Sequence, residues 1–73
     1  MINNMVEGLD QRLRQNPADP DGWVRLIRSR EVMNQPDRAR DALSRALAAF
    51  AGDPPTRQKI AAAAQGLGVT MDR

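Results

Sequence analysis

The chain has 73 residues, a net charge of +2, one tryptophan, one phenylalanine and neither cysteine nor histidine; this excludes disulfide stapling, a thiolate nucleophile and an ordinary zinc site. A chain this small buries only about 60% of its unfolded surface, so apolar packing must hold it. Abundant alanine and few β-branched residues favour helix over sheet, and acidic residues interleaved with the arginines speak against nucleic acid as a partner despite the basic pI.

From Ile2 to Gln15, the residues Ile2, Met5, Val6, Leu9 and Leu13 recur at three- and four-residue spacings, which predicts a helix with one apolar face. Asp10 and Arg14 add an i,i+4 ion pair, and Asn16-Pro17 ends the helix because a residue before proline is pushed out of the α region. Asp19-Pro20 opens the second helix with a capping carboxylate and a proline at the first helical position. Its apolar positions are Trp23, Leu26, Ile27 and Met33, with Val24 and Val32 on an adjoining face; Arg25, Arg28 and Glu31 fill the side left for solvent or a ligand.

Asn34-Gln35-Pro36 predicts a turn and a new start. The third helix carries the cleanest pattern of the chain, Ala39, Ala42, Leu43, Ala46, Leu47 and Phe50, opposite a face of Asp37, Arg38, Arg40, Asp41 and Arg45. Its small residues allow close approach of another helix. Gly52 is expected to end it, and Asp53-Pro54 starts a fourth helix running to about Gln65 with Ile60, Ala63, Ala64 and Leu67 as its stripe. Gly66 and Gly68 are expected to loosen the chain into a frayed tail, Val69 to Arg73.

The expected fold is therefore all-α, a single domain over residues 1–73 of about four antiparallel helices. Asp53-Pro54 follows Asp19-Pro20 by 34 residues, the period of the tetratricopeptide repeat. Trp23 and Leu26 match the tryptophan and leucine of the repeat's first helix, Ala39 and Ala46 match the small positions of its second, and Leu43 stands where a large residue is usual. Ile27, Arg30 and Ala51 depart from the glycine or alanine, tyrosine and proline preferred there. In this register Pro17 closes a preceding repeat, so the chain resembles one full repeat flanked by half-repeats.

A narrower resemblance covers nearly the whole chain. Met5-Val6-Glu7-Gly8-Leu9, Arg12-Leu13, Asn16-Pro17, Gly22-Trp23, Leu26, Arg28-Ser29 and Ala39 are similar to the repeat region of the CycH-type cytochrome c biogenesis family of bacteria, with Arg30 where that family usually has tyrosine. The resemblance implies a periplasmic part of a membrane-anchored parent that holds apocytochrome c, chiefly by its C-terminal helix, for haem attachment alongside other cytochrome c maturation subunits. The chain itself has no stretch of about eighteen apolar residues and no signal-peptide pattern. It is expected to be a soluble fragment, reaching a membrane only through absent parent segments.

Catalysis has little to work with. Ser29 and Ser44 lack a plausible base, the acidic residues are explained by capping and charge-balanced faces, and the expectation is a binding module with no enzyme activity, no metal and no cofactor. Met5 and Met33 lie on apolar stripes and read as core fillers; Trp23, with Leu26, Ala39, Leu43 and Ala46, reads as repeat core.

Arg25 and Arg28 are the candidate ligand residues. In repeat register they lie on a groove-lining surface with Asp21, Val24, Glu31 and Val32, joined by Gln58, Lys59 and Ala62 of the last helix. A guanidinium can take a carboxylate in a bidentate fork, and Val24 and Val32 can support an amphipathic helix. The opposing expectation is a solvated face with Asp21 satisfying Arg25. Rival functions are a general tetratricopeptide scaffold or co-chaperone in the cytoplasm and, in another class, a nucleic-acid binder using the arginines, which would show steep salt dependence.

Overall fold

A computed structural model describes residues 2–69, with side chains from Met5 onward. Four helices, α1 (Ile2–Gln15), α2 (Pro20–Val32), α3 (Pro36–Ala49) and α4 (Pro54–Gly66), follow one another through short connections at 16–19, 33–35 and 50–53. Connections this short fold successive helices back on each other. The second helix packs against all three others, while α3 and α4 also meet each other.

The starts follow the chemistry of the sequence. The Asp19 carboxylate accepts from the Gly22 amide at 3.1 Å, and Asp53 accepts from the Thr56 hydroxyl at 2.6 Å and its amide at 3.5 Å. In α2, α3 and α4 a proline occupies the first turn, where its missing amide proton costs nothing.

Two of the ends are tighter than expected. Beyond α2, Asn34 takes a left-handed φ of 61°, and the amides of Gln35 and Asn34 return to the carbonyls of Arg30 and Glu31. Beyond α4, Gly68 takes φ 85°, and the amides of Val69 and Gly68 return to Ala64 and Gln65. Both are Schellman caps, in which the left-handed residue turns the chain back, and at the second the apolar residue just beyond packs on the helix. Val69 is accordingly buried in the core. This corrects the expectation of a frayed tail at that residue, while residues 70–73 lie outside the described part. Gly52 is also corrected, because α3 is capped at Phe50 and the chain passes to α4 through a turn in which the Asp53 amide donates to the Phe50 carbonyl at 2.9 Å.

The core is a seam between α2 and α3, closed at its ends by α1 and α4. Trp23, Leu26 and Ile27 face Ala39, Ala42, Leu43 and Ala46; Val6 and Leu13 join from α1, and Ile60, Ala64 and Val69 from α4. Gly22 is explained by a close approach: a β-carbon there would lie 2.6 Å from the Asp19 carboxylate and 3.0 Å from the Leu13 side chain. Met33, Leu47, Phe50 and Leu67 are partly buried against this core. Met5 is the exception among the expected core residues; it is 75% exposed, because among the described residues no helix covers that side of α1.

Candidate functional site

The packing of α2 on α3 has the character of a repeat hairpin. Large side chains on α2 fill the space above a row of alanines on α3, and those alanines are buried to 2% exposure or less. Trp23 is held in that hairpin from both sides: its indole Nε1 donates to the Pro17 carbonyl at 2.9 Å, and the Arg45 guanidinium carbon sits 5.5 Å from the ring centroid. It is a core residue and not a surface anchor. The sequence model of the tetratricopeptide repeat matches residues 20–63, from the start of α2 well into α4.

The chain belongs to the tetratricopeptide repeat family. Two curated relatives, both cytochrome c-type biogenesis proteins CycH, match across 94% of the chain: that of Rhizobium meliloti at 44% identity and that of Bradyrhizobium diazoefficiens at 39%. The chain spans less than a fifth of the length of either, 18% and 19%. No solved structure gives a significant match.

Within the repeat, the residues expected to line a groove fall into place unevenly. On α2, Asp21, Arg25, Arg28 and Val32 are exposed, with Val32 at 80%; on α4, Gln58, Lys59 and Ala62 are exposed as well. Because α2 packs on α4, these belong to adjoining helices. Val24 is half-buried against the core, and Glu31 is half-buried with its Oε1 shielded and without a hydrogen-bond partner.

Arg25 and Arg28 are separated by the structure more than by the sequence. Three residues along a helix leave side chains about 60° apart, and Arg25 turns toward α1. There it lines an open cleft of about 400 Å³ with Met5, Gly8, Leu9, Arg12 and Ser29, whereas Arg28 stays on the side away from it. The expected Asp21–Arg25 pair is not formed, and among the described residues neither Arg25 nor Arg28 has an ion pair or a side-chain hydrogen bond. These two guanidiniums are thus available to an incoming anion without breaking an internal contact.

Arg14, Arg30 and Arg45 are committed elsewhere, in a cluster of which the sequence showed only the Asp10–Arg14 pair. Asp10 and Arg30 are buried, at 7% and 4% exposure. The Arg30 Nη2 donates to Asp10 Oδ2 at 3.3 Å, Arg45 grips Asp10 Oδ1 through Nη1 and Nη2 at 3.0 and 2.7 Å, and Arg14 Nε reaches the same oxygen at 3.1 Å. The Arg30 guanidinium also meets Gln35 at 3.2 Å and Glu7 at 3.4 Å. One carboxylate is therefore held by three guanidiniums drawn from three helices. Asp10 is thus an exception to the expectation that the acidic residues serve mainly as caps or on charge-balanced faces: it lies on the apolar stripe between Val6 and Leu13, and two opposite charges on facing buried stripes are the signal that could have revealed its pairing with Arg30.

With Glu7, Asp37 and Asp41 nearby, the cluster is close to charge-balanced, so its role is to join helices; α1 and α3 do not pack directly and are bridged by the Arg45 side chain. Among the described residues, no group of three or more His, Cys, Asp or Glu side chains could hold a metal ion, and no helix is long and apolar enough to cross a membrane.

Proposed function

We propose that this repeat domain is a peptide-binding module of cytochrome c biogenesis that holds apocytochrome c by its C-terminal helix, as a periplasmic part of a longer membrane-anchored protein. The relatives named for cytochrome c biogenesis supply the process. The observation that carries the binding role is that two arginines of α2 are unengaged, Arg28 one turn from the exposed Val32 and Arg25 turned toward α1. A face that offers guanidinium forks next to apolar surface suits an amphipathic helix with carboxylates along one edge. Asp21, Val24 and Glu31 border that face from α2, and Gln58, Lys59 and Ala62 from α4. Nothing in this reading requires catalysis or a cofactor from this chain; haem chemistry belongs to the other maturation subunits.

The test is an NMR titration of the isotope-labelled chain with a peptide of the C-terminal helix of an apocytochrome c. Shifts centred on Val24, Arg28, Val32 and Gln58 are expected. Replacing Arg25 and Arg28 together by alanine weakens binding while thermal stability stays within about 0.5 kcal/mol, as for exposed positions generally. Unchanged affinity in the double variant would remove this face as the binding surface.

A further inference from the structure

Each flank of α2 has a different neighbour. Arg25 and Ser29 line the cleft with α1, and Leu26 and Arg30 line the charged cleft toward α3. Val24, Ile27 and Glu31, spaced by three and four residues, form the remaining stripe, which therefore faces α4, the third helix on which α2 packs. The helices α2 and α4 run the same way, because two chain reversals separate them, and the 34-residue register sets Arg25 level with Lys59 and Glu31 level with Gln65. The α4 wall changes character between those levels. Beyond Lys59 the helix continues as Ile60, four alanines, Gln65 and Gly66, without a charge. Glu31 thus lies beside an uncharged wall, past the level of the last cation of α4.

The fold makes no use of this carboxylate. Glu31 Oε1 is shielded from solvent and accepts no hydrogen bond, and Glu31 belongs to no ion pair among the described residues. It caps no helix start; it stands in the last turn of α2, where a negative charge opposes the helix dipole. A shielded acceptor without a donor costs stability, and the dipole adds to that cost. Both are relieved by a cation brought from outside, and because the residue is only half-buried its carboxylate stays within reach through the other oxygen. Resting on the reading of the α2–α4 face as a peptide-binding surface, we infer that Glu31 is its specificity-determining residue, taking the ammonium or guanidinium of a basic side chain on the bound helix beside the carboxylate that Arg28 takes. Arg28 and Glu31 are three residues apart, about 4.5 Å along α2, a separation matched by side chains three or four apart on one face of a docked helix. The favoured ligand is therefore not acidic throughout. It carries an acid and a base one turn apart, beside the apolar stripe that covers Val32.

The probes are two synthetic helical peptides with leucine at i, i+3, i+4 and i+7. One bears a lysine with a glutamate four residues to either side, an arrangement that presents the same charges in both docking directions; in the other, glutamine replaces the lysine. Titrated into the labelled full chain, the lysine peptide is expected to bind roughly fivefold more tightly, as for a partly shielded ion pair, with shifts on Arg28, Glu31, Val32 and Gln58. Glu31→Gln, which keeps the shape of the side chain, removes the difference by weakening the lysine peptide alone, and Arg28→Ala weakens both. Circular dichroism checks that the two variants keep the fold. Equal affinity of the two peptides for the unaltered chain, with shifts still on this face, overturns the assignment of Glu31 and leaves the peptide-binding reading standing. So does a Glu31→Gln variant that binds both peptides more tightly, which would make Glu31 a restraint on Arg28. Absence of shifts on α2 and α4 with either peptide at millimolar concentration overturns both.

Discussion

Of the three seams that hold α2 in place, those with α3 and α1 differ in their physics. Against α3 it closes a dry seam of Leu26 and Ile27 over Ala39, Ala42 and Ala46; toward α1 it adds to the apolar contacts of Val6 and Leu13 a buried carboxylate, Asp10, shared among Arg14, Arg30 and Arg45. The apolar seam stabilises in proportion to the area it removes from water, a force without direction of its own. The charged seam tolerates no shift in register, since Asp10 meets guanidiniums from three helices only when α1 lies in one place.

Removing the shared carboxylate is the most direct way to break the charged seam. Asp10→Ala leaves the Arg30 guanidinium buried with only Glu7 and Gln35 near it, and should cost about 3–5 kcal/mol in urea unfolding, because an uncompensated buried charge remains. In a domain whose total stability is of the order of 5 kcal/mol, that variant would keep only about 0–2 kcal/mol and be marginally folded at room temperature. Cutting into the dry seam with Leu26→Ala, at a position with no solvent exposure, should cost about 2–5 kcal/mol by lost transfer energy and cavity formation, and should lower the midpoint without altering which helices are protected from hydrogen exchange.

Arg30→Tyr sharpens the comparison from the cation's side. It installs the residue that the repeat prefers, and Asp10 keeps Arg45 and Arg14 as partners, so the loss should stay below about 1.5 kcal/mol. A loss as large as that of Asp10→Ala would mean that Arg30 and not Arg45 is the principal counter-charge.

The helices were legible because their punctuation is chemical and local. Asp19-Pro20, Pro36 and Asp53-Pro54 mark starts whatever the rest of the chain does, and the stripe from Ala39 to Leu47 can bury only one face. Trp23 was legible as core for the same reason. What escaped notice depends on groups far apart in sequence: Arg30 looks like a departure from the repeat until Asp10, 20 residues away, is set against it. Met5 failed in the other direction, since periodicity says which face is apolar but not whether another helix covers it. At the C-terminal end of α4, glycine was read as looseness, yet the left-handed Gly68 folds Val69 back onto the core. Of the candidate groove, the sequence conveyed that Arg25 and Arg28 are exposed, but not that they look toward different surfaces.

The setting of Trp23 has a spectroscopic consequence. It is the chain's single tryptophan, buried on α2, hydrogen-bonded to the α1–α2 connection and overlaid by an arginine of α3. A shielded indole emits at shorter wavelength than a hydrated one, so its emission reports on three helices at once. Detachment of α1 alone would free its Nε1 from the Pro17 carbonyl and change the emission before helicity is lost, allowing undocking of the half-repeat to be timed separately from unfolding of the hairpin.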